Sequence, residues 1–142
     1  MFAEGVSTGP SIIMRRGPAM AQKNILVVDD EAVARRFIER ALTHEGYRVM
    51  LANDGEQALE LLRMTRRKIA LVITDLVMPG MGGHAFALEV GRLPSPPAVL
   101  YISAYERPEG EMAKRFLQKP FSIPDLVSAV RALITPPQEV SS

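Results

Sequence analysis

From Asn24 onward, short apolar runs alternate with longer stretches whose apolar residues recur every three or four positions. These two patterns distinguish strands from amphipathic helices. "ILVV" (25–28) is apolar throughout and rich in β-branched residues, which predicts a strand covered on both faces. Val33, Ala34, Phe37, Ile38, Ala41 and Leu42 then form a helical stripe, and Gly46 is placed to stop it. "RVMLA" (48–52) reads as a second strand, after which Asn53 or Asp54 can cap a helix bearing Ala58, Leu59, Leu61 and Leu62. "IALVITD" (69–75) is a third strand ending in a carboxylate, and a short helix near "HAFALEVGRL" follows. A proline-rich turn leads into a fourth strand from about Ala98 to Ser103, and "RFLQK" (115–119) is a brief fifth. Ser122 caps a last helix carrying Ile123, Leu126, Val127, Val130, Leu133 and Ile134, with Asp125 completing an approximate capping box. Strands alternating with helices imply a doubly wound α/β fold around a five-stranded, mostly parallel sheet with right-handed crossovers.

Residues 1–22 break the pattern. Gly5, Gly9, Pro10, Gly17 and Pro18 interrupt them, and they are expected to form a flexible leader, with Met14 and Met20 as alternative starts. An arm that docks on a partner through Ile12 and Ile13 is the other reading. One domain is expected over 23–135, followed by a disordered tail over 136–142.

Composition narrows the function classes. At 142 residues and 47% hydrophobic, the chain suits one domain with a real core. A formal net charge of +1 argues for neither nucleic acid nor an anionic membrane, and Arg15-Arg16 and the basic run from Arg63 to Lys68 read as solvated surface. The absence of cysteine excludes disulfides and thiolate metal sites and suits a cytoplasmic protein. Apolar runs such as "IALVI" (69–73) are far too short to span a bilayer.

Ligands of open parallel sheets bind beyond the carboxyl ends of the strands. Those ends deliver Asp29 and Asp30, Asp75, Ser103 and Lys119. An aspartate after a strand is commonly only a cap or turn former, but five such groups on one edge form a pattern. Three carboxylates without cysteine or a well-placed histidine make a hard-oxygen set that suits Mg²⁺, and a cation would relieve the repulsion within the Asp29–Asp30 pair. Asp75 is then the candidate nucleophile for a phosphoryl group, with Lys119 and Ser103 placed to stabilise it.

"ILVVDDE", "LVITDLVMPGMGG", "VLYISAY" and "FLQKPFS" resemble the successive motifs of bacterial two-component response-regulator receiver domains, the CheY-like superfamily. The resemblance covers about Lys23 to Ile134. It implies a flavodoxin-like sheet of strand order 2-1-3-4-5 and a signalling module rather than an enzyme. By the same resemblance, Asp75 takes a phosphoryl group from a sensor histidine kinase or phosphotransfer protein and the chain then acts on a downstream protein target, a homodimer being left open. Asp30, Asp75 and the Val77 backbone carbonyl would ligate Mg²⁺, or Mn²⁺ in its place, with Asp29 acting largely through water. Lys119 would pair with the phosphoryl group ahead of a cis Lys119–Pro120 bond. Ser103 and Phe116 would be the switch pair, although ordinary core packing also accounts for Phe116. Val77, which has no polar group to orient water, and bulky Tyr105 are expected to lengthen the phosphoryl lifetime, while small Ala104 leaves the entrance open.

One segment departs from the family. Only fifteen residues separate Ser103 from Lys119, with Pro108 and Gly110 among them, so the fourth helix is expected to be stunted or replaced by a loop. "GMGGHA" (80–85) matches a loose dinucleotide-binding fingerprint, but no acidic residue follows at the required distance, and turn glycines are the better reading. Two rivals to a phosphoacceptor remain: a binding-only pseudo-receiver, and a haloacid-dehalogenase-type phosphatase. The latter wants its nucleophile on the first strand and another aspartate two residues on, whereas here the pair is adjacent.

Overall fold

Every residue of β1 (Asn24–Val28) is buried, and its side chains alternate between two cores. Leu26 and Val28 belong to one, Ile25 and Val27 to the other, as the two-residue period of a strand requires. The computed structural model describes residues 23–105 and 107–134; the leader over 1–22 and the tail over 136–142 lie outside the described residues. In chain order the remaining elements are α1 (Ala32–His44), β2 (Arg48–Ala52), α2 (Gly55–Met64), β3 (Ile69–Asp75), α3 (Gly83–Gly91), β4 (Ala98–Ser103), β5 (Phe116–Gln118) and α4 (Ile123–Ile134). The strands form one parallel sheet in the order β2-β1-β3-β4-β5, which is the expected architecture.

Helices cover both faces. Ala58 and Leu59 of α2 and Phe86 and Val90 of α3 pack over Leu26, Val72 and Tyr101. Ile38 and Leu42 of α1 and Leu126 and Val130 of α4 pack over Val27, Ile73 and Leu100. Among the described residues no helix is long and apolar enough to cross a membrane.

Local signals set the ends of the helices. The Asp54 side chain accepts from the Gln57 N–H at 2.8 Å, while Gln57 Oε1 accepts from the Asn53 N–H at 2.6 Å, a reciprocal cap. Gly46 follows α1 with φ of 99°, a left-handed conformation that favours glycine after a helix. The Asp125 N–H donates to Ser122 Oγ at 3.1 Å at the start of α4.

One expectation changes. Val33 and Phe37 belong to the apolar stripe of α1, yet they are 83% and 40% exposed. At about 100° per residue, Phe37 lies a quarter-turn away from Ile38, on the flank of the helix rather than beneath it. There its ring meets Phe121 with centroids 6.1 Å apart. Between β4 and β5 stands only a 3-10 helix (Gly110–Arg115), in keeping with the stunted fourth helix that the short spacing predicts, and Gly110 takes a φ of 68° at its start.

The β3–α3 turn is tightly constrained. A Cβ on Gly83 would strike the Asp75 carbonyl oxygen and come within 2.6 Å of the Leu76 Cα, whereas one on Gly91 would meet nothing within 4 Å. Gly83→Ala is therefore expected to destabilise the fold by about 1–3 kcal/mol through overpacking. Gly91→Ala should instead raise helix propensity and stabilise by up to about 1 kcal/mol. Urea unfolding of both variants checks the contrast, which fails if their midpoints move together.

Candidate functional site at the carboxyl edge of the sheet

Parallel register brings the chemistry together. Val28 pairs with Thr74, Asp75 with Ile102 and Ser103 with Gln118, so Asp29, Asp75, Ser103 and Lys119 share one edge. The Lys119 N–H donates to the Ser103 carbonyl at 2.9 Å, which extends the strand pairing by one bond and fixes the root of the lysine. The Lys119–Pro120 bond is cis.

Asp29 is fully buried and Asp75 is 7% exposed. Lys119 Nζ bridges them, 2.8 Å from Asp29 Oδ2 and 2.7 Å from Asp75 Oδ2. The other carboxylate oxygens are held by backbone: Asp29 Oδ1 accepts from the Glu31 N–H and Asp75 Oδ1 from the Val77 N–H, both at 2.9 Å. The Glu31 carboxylate approaches the ammonium at 3.8 Å. Asp30 is exposed, so two adjacent aspartates occupy opposite environments.

Ser103 is buried, and its Oγ accepts from the Tyr105 N–H at 3.1 Å. The Tyr105 side chain is 88% exposed and does not cover Asp75 in this conformation. Phe116 is half-buried and packs on the core that holds Tyr101, with the Arg107 guanidinium carbon 5.8 Å from its ring centroid. Arg107 also donates to Gln118 Oε1 at 2.6 Å. Beside Lys119, a groove of about 860 Å³ is lined by Val33, Phe37, Tyr105, Pro120 and Phe121 among others.

Several contributors escape sequence reading. Glu31 supplies both a backbone donor and a nearby charge, and Arg35 Nη1 donates to the Asp29 backbone carbonyl at 2.6 Å. Arg35 lies in the first turn of α1, one helical turn beyond Glu31, and that position is the only signal that could have pointed to it.

The donors suit a hard cation. Two buried carboxylates and a third beside them share one ammonium, and no sulfur or imidazole competes for the position. Among the described residues, however, no three Asp, Glu, His or Cys side chains converge closely enough to hold a metal as they stand. Asp29 and Asp75 are brought together, but Asp30 is not.

Burial pushes the Asp29 carboxyl above its ordinary 3.8, and the bonds from Lys119 and the Glu31 N–H only partly oppose this. Burial also pushes the Lys119 ammonium down, but its bonds to Asp29 and Asp75 outweigh that and hold it above 10.5. In the folded chain Lys119 therefore adds stability that is present below 10.5 and is lost as pH rises through its native value. Between 3.8 and its raised native value, the folded Asp29 retains a proton that the unfolded chain has released, so its contribution falls as pH rises through that window. In chelator-treated buffer, the stability of wild type relative to Asp29→Asn should be greatest at and below 3.8 and decline as pH rises above it. Denaturant titrations across that range check this, and a difference that stays constant or grows would contradict it.

Comparison with known proteins extends the match to the whole unit. Residues 25–131 match the family model for the response regulator receiver domain. The chain is 32% identical over 116 residues to response regulator ArlR of Staphylococcus epidermidis, covering 78% of this chain and 52% of that protein. It thus spans about half the length of this curated relative. The receiver domain of the hybrid histidine kinase CckA superposes with a TM-score of 0.70 at 33% identity, covering 79% of this chain and 99% of that one. Chemotaxis response regulator CheY4 of Vibrio cholerae gives a TM-score of 0.69 at 26% identity, with coverage of 79% and 98%.

Proposed function

Because the chain belongs to the response-regulator receiver family, we propose that Asp75 is the residue on which it accepts a phosphoryl group in two-component signalling. The observation that carries this reading is the Asp75 carboxylate at the end of β3, held by Lys119 at 2.7 Å and by the Val77 N–H at 2.9 Å. A carboxylate oxygen attacks phosphorus of a phosphohistidine on a kinase or phosphotransfer protein. The P–N bond breaks with its electron pair passing to the imidazole, and an acyl phosphate forms on Asp75. Lys119 stays close to the added charge and pairs with the phosphoryl oxygens.

Asp30, Asp75 and the Val77 carbonyl would hold Mg²⁺ or Mn²⁺, with Asp29 acting through water; bound metal supplies charge neutralisation for the phosphoryl oxygens. Asp30 is exposed, and its side chain would turn toward the pair to do so. The Ser103 O–H would donate to a phosphoryl oxygen, and Phe116 would turn inward behind it. We place the donor protein in the groove beside Lys119, because Lys119, which bonds Asp75 at 2.7 Å, lines it.

Incubation with acetyl phosphate or beryllofluoride in Mg²⁺ tests the assignment. Wild type should take up the group, and Asp75→Asn should not; uptake by the variant would sink the reading. The phosphorylated chain should decay over minutes or longer, since Val77 offers no group to orient water, and decay within seconds would remove that role. Val33→Glu, at an 83% exposed position, should lower the rate of transfer from a phosphohistidine donor relative to that from acetyl phosphate by about tenfold. An unchanged ratio would move the donor elsewhere.

A further inference from the structure

We propose that Arg35 is a positioning residue for the cation site: it grips the peptide between Asp29 and Asp30 and so sets where Asp30 points. The inference rests on the phosphoacceptor reading above. Each polar group of Asp29 is engaged. Its N–H donates to the Ala52 carbonyl at 3.3 Å, its two carboxylate oxygens take the Glu31 N–H and Lys119, and its carbonyl takes Arg35 Nη1 at 2.6 Å. That carbonyl and the Asp30 nitrogen belong to one planar unit. Fixing the oxygen therefore fixes the rotation of the whole peptide and the direction in which the Asp30 Cα leaves it.

Asp30 needs this external hold. Its side chain is exposed, so packing does not orient it, whereas Asp29 is locked by burial and three further bonds. Arg35 is half-buried on α1, and its own N–H donates to the Glu31 carbonyl at 3.0 Å. It thus ties the loop between β1 and α1 back to the helix. Arg36, the next residue, is exposed and lacks the contact with Asp29.

Charge and positioning predict opposite outcomes. If Arg35 acted only as a nearby cation, it would repel Mg²⁺, and removing it would tighten binding. If it orients a ligand, removing it weakens binding, and loss of such outer partners typically costs 10–100-fold in metal affinity.

The test is Mg²⁺ titration of the full chain followed by backbone amide NMR. Arg35→Gln should raise the Mg²⁺ Kd by about tenfold or more and perturb the Asp30 and Glu31 amides before metal is added. Arg36→Gln, which removes the same charge from the same helix, should leave the Kd unchanged or lower it. Arg35→Lys keeps the charge with a different donor geometry and should fall between; being milder, it carries the test if Arg35→Gln does not fold, and a wild-type Kd in it then overturns the proposal. Tighter or unchanged binding in Arg35→Gln overturns it, as does equal weakening in Arg36→Gln. A wild-type chain that binds no Mg²⁺ overturns the cation-site reading itself, which distinguishes that failure from the failure of Arg35 alone.

Discussion

Two carboxylates buried at the end of a parallel sheet repel each other and lose their hydration, and the Lys119 ammonium, bonded to both, offsets part of that cost. The contact spans the sheet, because Asp29 follows β1, Asp75 ends β3 and Lys119 follows β5. It forms only if β3 and β4 lie between β1 and β5 in register. The bond from the Lys119 N–H to the Ser103 carbonyl shows how that register carries the lysine to its place. Topology and site are therefore one arrangement: a slip of one residue in β5 would turn Lys119 to the other face.

The adjacent aspartates divide their work by burial. Asp29 sits inside with every polar group bonded, one carboxylate oxygen to Lys119 and the other to the Glu31 N–H. Asp30 stands outside, exposed to solvent. Lys119, which bonds both carboxylates, also lines the groove formed by Val33, Phe37, Tyr105, Pro120 and Phe121, so the groove adjoins the same edge. On the far side, Phe116 follows the 3-10 helix and packs against the core on one side and under Arg107 on the other. A rotation of Phe116 would have to displace an arginine that also holds Gln118 of β5.

Much of this was legible in the residues. Two-residue alternation in "ILVV", the capping signals at Asp54 and Ser122 and the stop at Gly46 each act over a few positions, so the sequence itself carries them. The order of Asp29, Asp30, Asp75, Ser103 and Lys119 was legible too, because parallel strands deliver their carboxyl ends to one edge whatever the intervening helices contain. The fifteen residues between Ser103 and Lys119 excluded a full helix by length alone.

Tertiary structure decided what depends on angle and neighbourhood. Helical periodicity placed Val33 and Phe37 on an apolar stripe, but only the docking of α1 on the sheet determined that they flank the site in the open. Sequence adjacency made Asp29 and Asp30 look alike, and only the end of β1 made one buried and the other exposed. Glu31 and Arg35 carry no motif, since a backbone donor and a guanidinium aimed at a carbonyl can be supplied by many sequences. The sequence determined which groups reach the edge; the packed sheet and helix determined which of them Lys119 holds and which are left facing solvent, because burial and distance are properties of the assembled neighbours.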